Sequence, residues 1–112
     1  MSYDYSLFNA LAPGPMSSWP NKLPDPLGTL DEVKQRLSAI FPDTGWKEFR
    51  GTLFGRPTDA ASQTPEFQIS NDEDGVCRWV TVRRATRAEV ESLCRALEVV
   101  AVDAQKVELI RP

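Results

Sequence analysis

Residues 76–103 read VCRWVTVRR, then ATRAEVESLCRAL, then EVVAVD, and the residue pattern changes twice along them. Val76, Val80 and Val82 alternate with Cys77, Trp79 and Thr81, the two-residue period of a strand rich in β-branched and aromatic side chains. Arg78 interrupts the valine face, so one end of that face is expected to reach solvent. Thr86 followed by Glu89 has the spacing of a capping box. In that motif the threonine oxygen accepts a helix N–H and the glutamate reaches back to the cap's own N–H. Beyond it, Val90, Leu93, Cys94 and Leu97 fall at i, i+3, i+4 and i+7, one apolar stripe at helical period. Arg87, Glu91 and Arg95 lie on the opposite face as successive i,i+4 pairs of opposite charge, worth about 0.2–0.5 kcal/mol each, which marks a solvated face. Val99–Val102 is an apolar run of strand length. Strand, helix and strand form the frame, and the upstream chain is expected to complete its sheet and core.

The length of 112 residues suits one domain spanning 1–112, burying roughly two thirds of the surface that the unfolded chain exposes. With 41% hydrophobic and 26% charged residues, the composition is that of a soluble globular protein. A net charge of −3 argues against general attraction to nucleic acid or to an anionic membrane. No apolar stretch approaches the ~20 residues needed to span a bilayer. MSYDYSLF has no basic segment ahead of an apolar run, so no secretory signal is expected and the location reads as cytoplasmic. Cys77 and Cys94 sit at strand-core and helix-core positions and read as two reduced buried thiols, with a disulfide across that contact as the alternative.

Upstream, Tyr3, Tyr5 and Leu7 alternate with Asp4, Ser6 and Phe8, a first strand. Residues 12–28 form a proline-rich loop or crossover: Pro13, Pro15, Pro20, Pro24 and Pro26 remove backbone donors and exclude helix or central strand. Trp19 within it either pins the loop to the domain or anchors a partner. Thr29 and Glu32 make a second capping box, followed by the stripe Leu30, Val33, Leu37, Ile40 and Phe41. Pro42 and Asp43-Thr44-Gly45 end that helix. Trp46 to Phe54 reads as one strand, with Gly51 marking a bulge or bend. Gly55 to Pro65 reads as loop, and Glu66–Ser70 as a short strand with Phe67 and Ile69 on one face. Asn71 to Gly75 turns the chain, Asp74-Gly75 being a hairpin signal. After Ala104-Gln105-Lys106, Val107, Leu109 and Ile110 form a last strand or a packed tail.

The expected order is therefore strand, helix, two or three strands, helix, strand. The fold class is α+β: a ferredoxin-like (split βαβ) two-layer sandwich with two helices on one face of a mostly antiparallel sheet.

The chain contains no histidine, which removes Ser-His and Cys-His activation and most zinc sites. No phosphate loop is present, because Gly51 and Gly55 lack a following Lys-Ser or Lys-Thr. Asp72-Glu73-Asp74 lacks the ligand spacing of an EF-hand, so it reads as a solvated hairpin tip and a contact for a basic partner. Arg83, Arg84 and Arg87 gather near the end of the central strand, without the aromatic signature of an RNA-recognition sheet. No catalytic residue, metal site or cofactor is expected.

The opening YDYSLF and the ending LCRALEVVAVDAQKVELIRP resemble a group of small bacterial proteins of uncharacterised or immunity-like type. In that group a helix ending in leucine leads to a short strand, an Asp-x-Gln turn and a Leu-rich tail. Leu97, Val99–Val102, Asp103-Ala104-Gln105 and Leu109 match it, while Ala104 stands where the pattern has proline. The resemblance covers about a quarter of the chain and implies a cytoplasmic protein that acts by binding another protein. The expectation is a non-enzymatic interaction module, immunity-type or accessory, with Trp19, Asp72, Glu73, Asp74, Arg83 and Arg84 as contact residues; a homodimer is compatible with it. The alternative is a small-molecule-binding regulatory domain of ferredoxin-like type.

Overall fold

Two capping boxes fix where the helices begin. Glu32 N–H donates to Thr29 Oγ1 at 3.2 Å and Thr29 N–H donates to Glu32 Oε1 at 3.2 Å, opening α1 (Leu30–Ile40). Thr86 and Glu89 repeat the exchange at 3.2 and 3.0 Å, opening α2 (Arg87–Leu97). Glu98 then takes a left-handed backbone with φ 57°, which turns the chain into the next strand without a glycine. The computed structural model describes residues 4–58, 65–71, 74–103, 105 and 108–112.

Between and around the helices lie β1 (Asp4–Phe8), β2 (Thr44–Phe49), β3 (Thr52–Pro57), β4 (Glu66–Ser70), β5 (Trp79–Arg83), β6 (Val100–Asp103) and β7 (Glu108–Ile110). They form one open sheet in the order β2-β3-β4-β5-β1-β6-β7, with each neighbouring pair antiparallel. The fold is thus α+β, with more strands than expected. The additional strands come from the division of residues 46–54 and from the last segment, which pairs with β6.

Residues that face each other across a ladder share a side of the sheet. Tyr5 opposes Val82 and Asp103, Leu7 opposes Val80 and Ala101, and Phe67 opposes Val82 and Gly55. These positions join Val33 and Leu37 of α1 and Val90, Leu93, Cys94 and Leu97 of α2 in one buried core. Arg36 of α1 clips the helices together by donating to the Leu97 carbonyl at 3.2 Å. Both helices therefore pack on one side. Val100 is buried as well, but it opposes Phe8 on the other side, outside that core.

The proline-rich segment lies against the Phe8 end of this second side. Trp19 meets Phe8 edge to face at 6.0 Å and 87°. Asn9 Nδ2 donates to the Asp25 and Pro26 carbonyls at 3.0 and 3.2 Å, and Arg78 Nη1 to the Pro24 carbonyl at 2.6 Å. Arg111 reaches the Gly14 carbonyl, and Gly28 bridges to Cys77 through backbone bonds. The segment is a strapped crossover carrying one short 3-10 turn, Met16–Ser18.

Four expectations require correction. Trp46 to Phe54 is two strands, because Arg50 (φ 53°) and Gly51 (φ 82°) both take positive φ, the geometry of a two-residue hairpin turn. Residues 55–57, expected as loop, continue β3. The central strand begins at Trp79 rather than Val76, and Cys77 ahead of it bridges Gly28. The alternation slips there, burying Cys77 beside Val80 while Trp79 is 44% exposed. Finally, Arg95 donates to Ser92 at 3.4 Å, while Glu91 is held by Arg87 at 3.2 Å.

Candidate binding surface

The residues singled out in the sequence are dispersed by the fold. Trp19 is half-buried against Phe8, and its indole Nε1 is buried with no hydrogen-bond partner among the described residues. Asp72 and Glu73 lie outside the described residues. Asp74 pairs with Arg78 at 3.0 Å. Arg83 and Arg84 are held by Asp4 at 3.7 Å and Glu66 at 3.3 Å. Arg87 is clamped by Glu108 at 2.8 Å and Glu91 at 3.2 Å, which hold its guanidinium still more firmly protonated than usual. Arg83 opposes Asp4 at one end of β1, whereas Trp19 sits at the Phe8 end. Among the described ones, the fold brings no common site out of these residues.

Cys77 and Cys94 are both buried cysteines. Cys77 Sγ donates to the Trp79 carbonyl at 3.4 Å. Burial pushes the Cys94 thiol up from 9.0 to about 11, with Glu91 adding to the rise and Arg95 opposing it. The unfolded chain loses this proton first as pH rises. The associated stability is fully present below pH 9.0 and disappears as pH climbs through about 11, a loss of at most roughly 3 kcal/mol. The denaturation midpoint should therefore fall more steeply over this range in the native protein than in Cys94→Ala. Equal slopes would show that Cys94 titrates alike in both states.

A different surface emerges at the β2–β3 hairpin. Its register sets Lys47 opposite Phe54, Phe49 opposite Thr52 and Gly45 opposite Arg56, all on the side away from the helices. Phe49, Phe54, Lys47, Arg56 and Pro57 border an open groove of about 500 Å³. Phe49 is 61% exposed, and the Arg50 guanidinium lies 5.2 Å from its ring centroid, a cation–π contact. Lys47, Arg50 and Arg56 form no ion pair among the described residues, in a chain of net charge −3.

This surface is held rigid from behind. Trp46, on the helix side of β2, stacks on Phe67 at 6.1 Å and 18°, and its Nε1 donates to Ser38 Oγ of α1 at 2.9 Å. Gly55 opposes Trp46, so the indole lies close over the β3 backbone. An exposed and a half-buried ring, flanked by three cations without an ion pair among the described residues, suit a ligand that is both anionic and partly apolar. The signal for this surface in the sequence was the Arg50-Gly51 turn, which sets Phe49 and Phe54 on one side.

Among the described residues, no group of three or more His, Cys, Asp or Glu is placed to hold a metal ion, and no helix is long and apolar enough to cross a membrane. Comparison with known proteins finds no family model, curated protein or solved structure that matches the chain.

Proposed function

We propose that the chain is a non-enzymatic interaction module that binds one protein partner through the outer side of the β2–β3 hairpin. The observation that carries this reading is the grouping of Lys47, Arg50 and Arg56 with the exposed Phe49 and with Phe54, on a chain otherwise acidic. Aromatic and arginine side chains are enriched at protein interfaces, and uncommitted cations steer an acidic partner into place. An immunity-type or accessory role in the cytoplasm is the specific form this reading takes. Strand order supports the finer fold assignment: in β6-β1-β5-β4, β1 runs parallel to β4 and β5 to β6, each pair separated by one strand and linked through a helix. We read this as a ferredoxin-like core (split βαβ), with β2–β3 and β7 added at its edges.

The test is capture of a partner from the host lysate by tagged native protein and by the Lys47→Glu/Arg56→Glu double variant. One stoichiometric protein, retained at low salt and reduced about tenfold or more by the variant, is the expected result. Equal capture by both would remove the hairpin from the reading. Charge reversal at Asp72, Glu73 and Asp74 tests the acidic tip in the same assay.

The groove supports a second reading, a small-molecule-binding regulatory domain of ferredoxin-like type. Its volume of about 500 Å³ lies within the range of ligand sites. A dose-dependent rise in melting temperature with anionic metabolites, abolished in the double variant, would favour it.

A further inference from the structure

We infer that the segment filling this surface is an acidic, extended stretch of the partner, added as an eighth strand along the open edge of β2. The inference rests on the interaction reading above and specifies its geometry.

Among the described residues β2 ends the sheet, and only one of its sides is paired. The pairing has a definite phase. Thr58 N–H donates to the Asp43 carbonyl at 2.8 Å, and antiparallel ladders alternate bonded and non-bonded pairs. Positions 43, 45, 47 and 49 therefore direct their backbone groups at β3, while Thr44, Trp46 and Glu48 direct theirs outward. Thr44 N–H is taken by the Phe41 carbonyl at 3.2 Å. The N–H and C=O groups of Trp46 and Glu48 have no partner among the described residues and form a ready template for another strand.

The side chains select its chemistry. An added strand would run beside Gly45, Lys47 and Phe49 on the outer side. Gly45 opposes Arg56, so no side chain stands between Arg56 and the edge on that side. Carboxylates at alternate positions of the added strand share its outer face and meet Lys47 and Arg56, while the apolar residues between them face the helix-bearing side. Glu48 lies on the helix-bearing side, away from these contacts. A second copy of this chain fits less well, because it would bring the same cations onto one strip. Single-stranded nucleic acid would use the cations and rings but leave the backbone edge idle.

The probe is a fluorescent peptide of alternating glutamate and valine, about eight residues long to cover one strand. Its controls are the same peptide with lysine for glutamate and a single-stranded oligonucleotide of equal length. Saturable binding by the glutamate peptide alone is expected. Glu48→Pro removes one outward N–H without touching the ladder to β3, a position where an edge strand tolerates proline. It should weaken binding about tenfold while leaving the melting temperature nearly unchanged. In the unmodified protein, hydrogen exchange at the Trp46 and Glu48 amides should slow when peptide is bound. No saturable binding, stronger binding of the oligonucleotide, or unchanged exchange at saturating peptide would each overturn the inference. If Glu48→Pro captures the lysate partner normally and Lys47→Glu/Arg56→Glu does not, the interaction reading stands and edge addition falls.

Discussion

Phe67→Ala is expected to destabilise the protein by about 3–5 kcal/mol, the range for deleting a buried aromatic ring. Phe67, in β4, is 2% exposed. Trp46 stacks on it at 6.1 Å and Phe41 packs against it at 5.7 Å, while Val82 and Gly55 flank it across the ladders. Removing the ring takes away the surface on which β2, α1 and β5 converge, and a domain of this size has only about 5–15 kcal/mol in total. Urea denaturation followed by circular dichroism reads the loss directly. A cost below about 1 kcal/mol would mean that Trp46 and Phe41 collapse into the vacated space, and that the hairpin is held by its turn alone.

Gly55→Ala should cost about 1–3 kcal/mol through overpacking, although alanine is ordinarily the milder residue in a strand. A Cβ at this position would lie 2.8 Å from Trp46 Cζ3 and 2.9 Å from Thr44 Cγ2. The indole cannot simply retreat, because Phe67 supports its face and Ser38 holds its nitrogen. The expected relief is rotation of Trp46 towards solvent, breaking the bond to Ser38. A red shift of tryptophan emission accompanying the stability loss would report it. Unchanged emission with unchanged stability would show that the hairpin backbone yields instead.

Local chemistry was legible in the sequence, and long-range geometry was not. Thr29 with Glu32 and Thr86 with Glu89 need only three residues of separation to make their contacts, so both helix starts follow from spacing. Glu66–Ser70 reads correctly because Phe67 and Ile69 alternate cleanly. The hairpin surface was hidden by one residue. Asparagine or glycine is the usual first residue of a two-residue turn, and Arg50 occupies that place with φ 53°. Read as one continuous strand, residues 46–54 put Phe49 and Phe54 on opposite sides; folded back at Arg50-Gly51, they share one. The arginines misled for a complementary reason. Arg83 and Arg84 cluster in sequence, but Asp4 and Glu66 that pair with them arrive from other strands. Arg78 likewise finds the Pro24 carbonyl only because the crossover passes beside it.

The position of β1 in the interior of the sheet has a consequence for how the molecule forms. Its two neighbours, β5 and β6, lie in the last third of the chain. During synthesis from the amino terminus, the first strand emerges with nothing to pair with and waits while β2, β3 and β4 assemble as successive local hairpins. Closing loops of that length precedes any gain from the contacts they create, which places refolding among the slower, non-local topologies, in the millisecond-to-second range. The hydrophobic Tyr5 and Leu7 thus stay exposed on the nascent chain until β5 and β6 have been made.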